Sequence, residues 1–344
     1  MTATSASARI WLRPGLLLAL AAALPLPAVA AEPADLGIEW VTVGNPGNAA
    51  DAATGRGSVA GVFQIAKHEV TVGQYAAFLS AVAASDPRGL WNGGQKIDRG
   101  GQAGAFTYAA RKGHEREPVM YVSFVDAMRF ANWLHHVQSD PAASGPAKSP
   151  DDAARLTETG AYNLAAGGGL AARDAAARAW IPNEDEWYKA AYHQPHAAGG
   201  PASHYWRYPT KSDAQPTAGK AGDASPNVAN FMLKESDAPA VMPVGSFPNA
   251  AGHYGTFDQG GNAWEWVEAT VFDTQRMLRG GSMYGSHEKM LAVTRSTASP
   301  TRRYPDVGFR IARAMPPDPP PAAATQPDRP NRARFWQVVN APGP

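Results

Sequence analysis

The spacing of apolar and polar residues changes period several times along the chain. "IEWVTVGNPGN" from Ile38 and "GVFQIAKHEV" over 61–70 alternate between the two classes, which predicts β-strands. From Thr71 the period lengthens to that of a helix, with Thr71 as N-cap. The apolar residues of that segment fall on one face: Val72, Tyr75, Phe78, Leu79 and Val82.

Two further segments have the pattern of short amphipathic helices with their own start signals. Ser123 and Asp126 have the spacing of a capping box in front of "FVDAMRFANWLHHV". Asn183 and Glu186 have the same spacing in "IPNEDEWYKAAYH". We expect the core to receive the apolar residues of both segments, namely Ala127, Met128, Ala131, Leu134, Trp187, Ala190 and Ala191.

The remaining chain is rich in turn formers. Residues 85–117 are glycine-rich, 139–179 are rich in Ala, Gly and Asp, and 195–257 show few regular patterns. We interpret 139–179 as a variable surface insertion, and we expect strands again in 276–285 and 307–314. The pattern therefore predicts one α+β domain over 36–314, with three short helices and much irregular chain.

Both ends differ from this domain in composition. Arg9 and Arg13, the apolar stretch "GLLLALAAALPLP" and the small residues "AVA" at 28–30 indicate a signal peptide over 1–30, hence an exported protein, periplasmic or secreted. The alternative, a membrane anchor, is disfavoured because the apolar run is short and broken by prolines. The proline-rich segment 315–344 predicts a disordered tail.

Composition and charge exclude several classes of function. The chain has 344 residues, a formal net charge of +1 and 18% charged residues, which gives no reason to expect nucleic acid as a partner, or a membrane after signal cleavage. There is no cysteine, so disulfides and every thiol-based mechanism are excluded. Ten tryptophans indicate a core rich in aromatic side chains.

Six sequence blocks occur in a characteristic order: "KHEVTVGQYAAFL", "PVMYVSFVDAMRFANWL", "WIPNEDEWYKAAY", "GTFDQGGNAWEW", "RMLRGGSM" and "VGFRIAR". Together they resemble the formylglycine-generating enzyme family, also called the sulfatase-modifying factor domain. The resemblance covers roughly residues 36–314. It implies an elaborated, loop-rich fold of the C-type-lectin-like kind, with little regular secondary structure.

The best-known members of that family are copper-dependent oxidases that convert a sulfatase cysteine to formylglycine. They hold Cu(I) between two cysteines, and Gly285 and Met290 stand at the matching positions here. Cu(I) prefers soft sulfur ligands, and one thioether from Met290, with His287 nearby, is much weaker than a thiolate pair. Copper is therefore not expected. Ser282 and Trp264 match residues that line the oxidase pocket, although a tight turn and core packing are alternative roles.

The resemblance also implies structural calcium, which binds six to eight oxygens. One site would use the Asp258 side chain, the Gly261 and Ala263 carbonyls and the Glu265 carboxylate. The alternative is that Glu265 pairs with an arginine such as Arg279 or Arg310. A second calcium site would use Asn230, Phe231 and Asp237.

Two functions follow from these observations. The first is a calcium-stabilised binding or structural module, a pseudoenzyme candidate that recognises a protein segment or a glycan. Its surface cleft would be lined by 85–117 and by aromatic residues such as Trp91 and Tyr108. The second is an enzyme of the family, either an oxidoreductase that makes formylglycine or one with diverged chemistry in the same cleft. The sequence leaves open whether the chain is an enzyme.

Overall fold

A four-stranded antiparallel sheet joins the beginning and the end of the domain. The computed structural model describes residues 36–232 and 240–316. The predicted signal peptide, Asp237 and all of the predicted tail except its first two residues therefore lie outside the described residues. The strand order of the sheet is β1-β2-β12-β5. Its strands are β1 (Trp40–Val43), β2 (Phe63–Ala66), β5 (Ala179–Trp180) and β12 (Ala312–Arg313).

A second four-stranded sheet contains the longest strand of the fold. Its order is β10-β9-β8-β11, with β8 and β9 forming an antiparallel hairpin and β11 running parallel to β8. The strands are β8 (Trp264–Val271), β9 (Gln275–Arg279), β10 (Ser296–Ala298) and β11 (Val307–Gly308). Two small pairs complete the strands, β3 (Ile97–Gly100) with β4 (Thr107–Ala110), and β6 (Thr217–Ala218) with β7 (Val228–Ala229).

The three predicted helices are present, and each begins at the predicted capping residue. They are α1 (Val72–Val82), α2 (Phe124–Ser139) and α5 (Glu184–Tyr192). Thr71, Ser123 and Asn183 each accept a hydrogen bond from the backbone three residues on, and the residue there returns one. The sequence was sufficient to predict these helix starts, because the two residues of each capping box lie within four residues of each other.

The interpretation of 139–179 as a surface insertion is wrong in part. This segment forms two more helices, α3 (Pro150–Glu158) and α4 (Leu164–Gly167), and it buries Leu156 and Tyr162 completely. Its many alanines and glycines form no amphipathic stripe, so the hydrophobic pattern did not predict which side chains reach the core.

The core is built from aromatic side chains of α1 and α2. Phe130 has its ring centroid 5.4 Å from that of Phe78 and 5.6 Å from that of Trp133, in edge-to-face arrangements that the ring quadrupoles favour. Trp266 of β8 is fully buried against Phe124, which confirms that it packs in the core. No helix of the described residues is long and apolar enough to cross a membrane.

Candidate functional site

Glu265 of β8 forms a buried ion pair with Arg310. Arg310 Nε donates to Glu265 Oε2 at 2.6 Å, Arg310 Nη2 donates to Oε1 at 2.7 Å, and both residues are fully buried. Trp187 Nε1 also donates to Oε2, at 2.7 Å. The arginine partner that the sequence left open for Glu265 is therefore Arg310.

Arg310 has no donor left for a second carboxylate. A guanidinium has five N–H groups, and two of those of Arg310 go to Glu265. The others go to backbone carbonyls: Nη1 to Ala66 and Lys67 at 3.0 and 3.2 Å, and Nη2 to Phe257 at 2.8 Å. Arg310 thus ties the end of β2 to the segment 257–265.

Two more carboxylates lie beside this pair. Glu69 is 1% exposed, its Oε1 accepts a hydrogen bond from Asn262 Nδ2 at 3.4 Å, and its Oε2 has no partner in the described residues. Burial and the negative charge of Asp258 raise the pKa of Glu69 well above its usual range. Asp258 accepts from the Gly245 backbone at 2.6 Å and has a positive φ of 59°. We call Glu69, Asp258 and Glu265 the carboxylate cluster.

The negative charge of the carboxylate cluster suits a cation, but some of its oxygens already accept hydrogen bonds and cannot bind a metal as well. Each carboxylate oxygen can accept two bonds; Glu265 Oε2 already accepts from Arg310 and Trp187, whereas Oε1 accepts from Arg310 alone. In the part of the chain that the structure describes, no three His, Asp or Glu side chains are placed to hold a metal by themselves. A calcium ion would therefore need the carbonyls of Gly261 and Ala263, and this site stays a prediction.

The second predicted calcium set is only partly described. Asn230 Nδ2 donates to the Ala240 carbonyl at 2.9 Å and to Asn262 Oδ1 at 3.0 Å, and the Asn230 carbonyl accepts from the Asn262 backbone. Phe231 is buried, and Asp237 lies outside the described residues. Asn230 therefore contacts the same segment as the carboxylate cluster.

Two of the predicted pocket residues meet at Asp306, which the sequence reasoning missed. Ser282 Oγ donates to Asp306 Oδ2 at 2.8 Å, and the Trp264 backbone donates to the Asp306 carbonyl at 2.9 Å. Ser282 is buried, whereas Trp264 is half-buried against the core. Asp306 is 24 residues from Ser282, so no local spacing could have indicated the contact.

Met290 and His287 both lie beside Tyr208, in different surroundings. Met290 is buried in an apolar cluster with Tyr208, Ala229 and Phe231. His287 is half-buried, with its Nδ1 3.0 Å from the hydroxyl of Tyr208. The geometry matches the packing role for Met290.

The aromatic residues expected in a surface cleft have other contacts. Tyr108 is buried, and its hydroxyl donates to the Ala83 carbonyl at 2.8 Å, so its assignment to a cleft wall is wrong. Trp91 is half-buried, donates to the Ile97 carbonyl at 2.9 Å, and has the guanidinium of Arg99 4.0 Å from its ring centroid. Arg99 shields this ring from solvent.

Comparisons with known proteins agree with this fold. The sequence profile of the sulfatase-modifying factor enzyme 1-like domain matches residues 41–315. The crystal structure of CarF is 22% identical, with a TM-score of 0.54 over 82% of this chain and all of CarF, which shows a shared fold. Treponema denticola variable protein 1 is 19% identical, with a TM-score of 0.49 over 80% of this chain and 95% of its own. PvdO from Pseudomonas aeruginosa is 20% identical, with a TM-score of 0.42 over 81% of this chain and 92% of its own. No curated protein matches the sequence.

Proposed function

Since the chain belongs to the sulfatase-modifying factor family, we propose that it is a non-oxidase member, a binding or structural module stabilised by calcium. The observation that carries this proposal is the side-chain chemistry at the two copper positions. Gly285 has no side chain, and Met290 is buried among Tyr208, Ala229 and Phe231. Without thiolates the chain has no soft anionic ligands for Cu(I).

The charge balance around Arg310 supports the calcium part. Three buried carboxylates face one guanidinium whose N–H groups are all used, which leaves Glu69 Oε2 without a partner among the described residues. An unpaired buried charge is strongly unfavourable, which is why burial favours the protonated form of Glu69 when no cation is present. Calcium would supply the missing positive charge, held by the Asp258 side chain, Glu265 Oε1 and the carbonyls of Gly261 and Ala263.

The ligand that we propose for the module is a protein segment or a glycan, and we propose that the protein is exported. The loop-rich surface of the fold supports the first point, because loops carried by a rigid scaffold commonly recognise ligands. The charge and apolar pattern of residues 1–30 supports the second.

Metal analysis of the purified protein tests the proposal together with an activity assay. We expect calcium and no copper by elemental analysis, a melting temperature that rises with Ca²⁺ and falls with EDTA, and no oxygen consumption with a cysteine-containing peptide. Stoichiometric copper with oxygen consumption would overturn the non-oxidase part. A melting temperature unaffected by Ca²⁺ and by EDTA would overturn the calcium part.

One observation favours the alternative, an enzyme with diverged chemistry. Ser282 donates to the Asp306 carboxylate at 2.8 Å in the region that corresponds to the oxidase pocket of the family. A carboxylate so placed can accept a proton from a hydroxyl or from a substrate. Under this alternative, Ser282→Ala would abolish a turnover that is measurable in the wild-type protein without lowering its melting temperature by more than a few degrees.

A further inference from the structure

We propose that a cavity of about 190 Å³ beside the first turn of α5 binds a small oxyanion through Arg56, Arg279 and Arg295. Glu184, the first residue of α5, also lines this cavity. The cavity lies apart from the carboxylate cluster. Trp187 separates the two, because its ring faces Arg279 while its Nε1 donates to Glu265.

The cavity has more positive than negative charge. Glu184 is the single carboxylate among the described residues that line it. Its oxygens lie 2.9 Å from Arg295 Nε, 3.7 Å from Arg56 Nη1 and 4.0 Å from Arg279 Nε. Three guanidinium groups thus surround one carboxylate, and two positive charges have no counterion in the cavity. A bound anion would supply that charge.

Free hydrogen-bond donors accompany this charge. Arg295 donates to Glu184 through Nε and Nη2, both at 2.9 Å, and its Nη1 has no partner in the described part of the chain. The Arg56 guanidinium makes no hydrogen bond to any described residue, because its nearest carboxylate oxygen is 3.7 Å away. The side chains of Arg56 and Arg295 are 38% and 40% exposed, so a ligand from solvent can reach both.

Arg279 supplies the buried part of the proposed site. Its side chain is 1% exposed; Nη1 donates to the Thr294 carbonyl, and Nη2 donates to the Ala292 carbonyl at 2.8 Å. Its Nε is buried and has no hydrogen-bond partner among the described residues. Arg279 therefore contributes its positive charge to the wall of the cavity, and an anion held by Arg56 and Arg295 would be attracted to that charge.

The guanidinium of Arg279 is also held in place before any ligand arrives. It lies over the rings of Trp187, Tyr188 and Tyr192, at 5.5, 5.2 and 5.8 Å from their centroids. Such fixed donors lose little conformational entropy when they bind a ligand. The planar fork of a guanidinium matches the geometry of carboxylate and phosphate oxygens.

The size of the cavity limits the group that enters it to a small oxyanion. About 190 Å³ is below the roughly 300–1,000 Å³ typical of sites for drug-sized ligands. Sulfate, phosphate or a single carboxylate group has the right size and charge. The source of that group, a free inorganic anion or a carboxylate of a larger molecule, is distinguished by the experiment.

Isothermal titration calorimetry of the protein as purified, with sulfate, phosphate and acetate, tests the site, with chloride keeping the ionic strength constant. We expect saturable binding of at least one anion by the wild-type protein, and binding roughly tenfold weaker by Arg56→Gln, because one charge-assisted contact is lost. Preference for sulfate or phosphate would indicate a free anion, and preference for acetate would indicate a carboxylate group.

Arg155→Gln is the matched control. Arg155 is an exposed arginine of α3 that pairs with Asp152 at 2.9 Å, so its removal changes the net charge equally. We expect Arg155→Gln to bind as the wild-type protein does, and both variants to keep the wild-type circular dichroism spectrum. No binding above chloride by the wild-type protein would overturn the proposal, as would equal binding by Arg56→Gln. Neither outcome bears on calcium, because the residues proposed to hold calcium do not line this cavity.

Discussion

Arg310 and Glu265 contact each other through two parallel hydrogen bonds, of 2.6 and 2.7 Å, at a place that solvent does not reach. Because Arg310 also donates to the carbonyls of Ala66, Lys67 and Phe257, it joins three segments that are distant in sequence. The pair therefore connects two of the six sequence blocks that carry the family resemblance, "GTFDQGGNAWEW" with Glu265 and "VGFRIAR" with Arg310.

Breaking this pair should destabilise the fold strongly. Glu265→Gln keeps the size of the side chain but removes the carboxylate that accepts two hydrogen bonds from Arg310, and removal of one partner of a buried pair typically costs about 3–5 kcal/mol. We expect a loss of that size in the free energy of unfolding, measured by urea denaturation. Asp98→Asn is the control, because Asp98 and Arg111 form an exposed pair, and such pairs contribute about 0–1 kcal/mol.

Glu69→Gln should separate the cation-binding role of Glu69 from a packing role. Without calcium the variant should be at least as stable as the wild-type protein, because it removes a buried carboxylate whose Oε2 lacks a hydrogen-bond partner among the described residues. With calcium it should gain less, since the attraction between Glu69 and the ion is lost. The measurement is the melting temperature in EDTA and in excess Ca²⁺.

Glu39→Gln is the control for that experiment, because Glu39 is a half-exposed carboxylate that pairs with Lys67 at 2.8 Å. Its response to calcium should equal that of the wild-type protein. An equal gain from calcium in Glu69→Gln and in the wild-type protein would exclude any contribution of Glu69 to the metal site.

Met290 should behave as a packing residue. Replacement by leucine nearly conserves volume and should cost less than about 1.5 kcal/mol. Replacement by alanine leaves a cavity among Tyr208, Ala229 and Phe231 and should cost about 2–5 kcal/mol. Chemical denaturation of both variants gives these values. A change in metal content in Met290→Leu would contradict the packing role.

The sequence predicted those parts of the fold whose determinants are local. Thr71, Ser123 and Asn183 act within four residues of themselves, and each was recognised as a helix start. The burial of Trp266 was also expected, as was the scarcity of regular elements in 195–257. Strand β8 was not predicted, because Glu265, Trp266 and Val267 are buried in succession and give no alternation of apolar and polar residues.

The candidate site could be predicted only in part, because its contacts span long sequence separations. The Glu265–Arg310 pair is 45 residues apart, and Arg303 Nε donates to Asp126 across 177 residues. Residue types gave the possible partners of Glu265, but only the fold selects Arg310 over Arg279. Asp306 and Glu69 had no local signal, since each acquires its role from the segments that pack against it.

Glu268 should make stability depend on pH. Its side chain is nearly buried; it accepts a hydrogen bond from the Tyr162 hydroxyl, and its Oε2 lies 3.5 Å from Arg173 Nε. Burial raises the pKa of Glu268 from 4.5 to about 7, even though the charge of Arg173 lowers it. The folded state therefore binds this proton at a pH where the unfolded chain has released it.

Linkage then fixes the sign of the effect. Between pH 4.5 and about 7 the folded protein holds more protons than the unfolded chain, so the contribution of Glu268 to stability falls as the pH rises and is constant above that range. Glu268→Gln cannot titrate and should remove this part of the slope, measured as the free energy of unfolding at several pH values. Asp98→Asn, at an exposed position, should keep the wild-type slope over the same range. An unchanged slope in Glu268→Gln would mean that Glu268 is already ionised in the folded protein at pH 4.5.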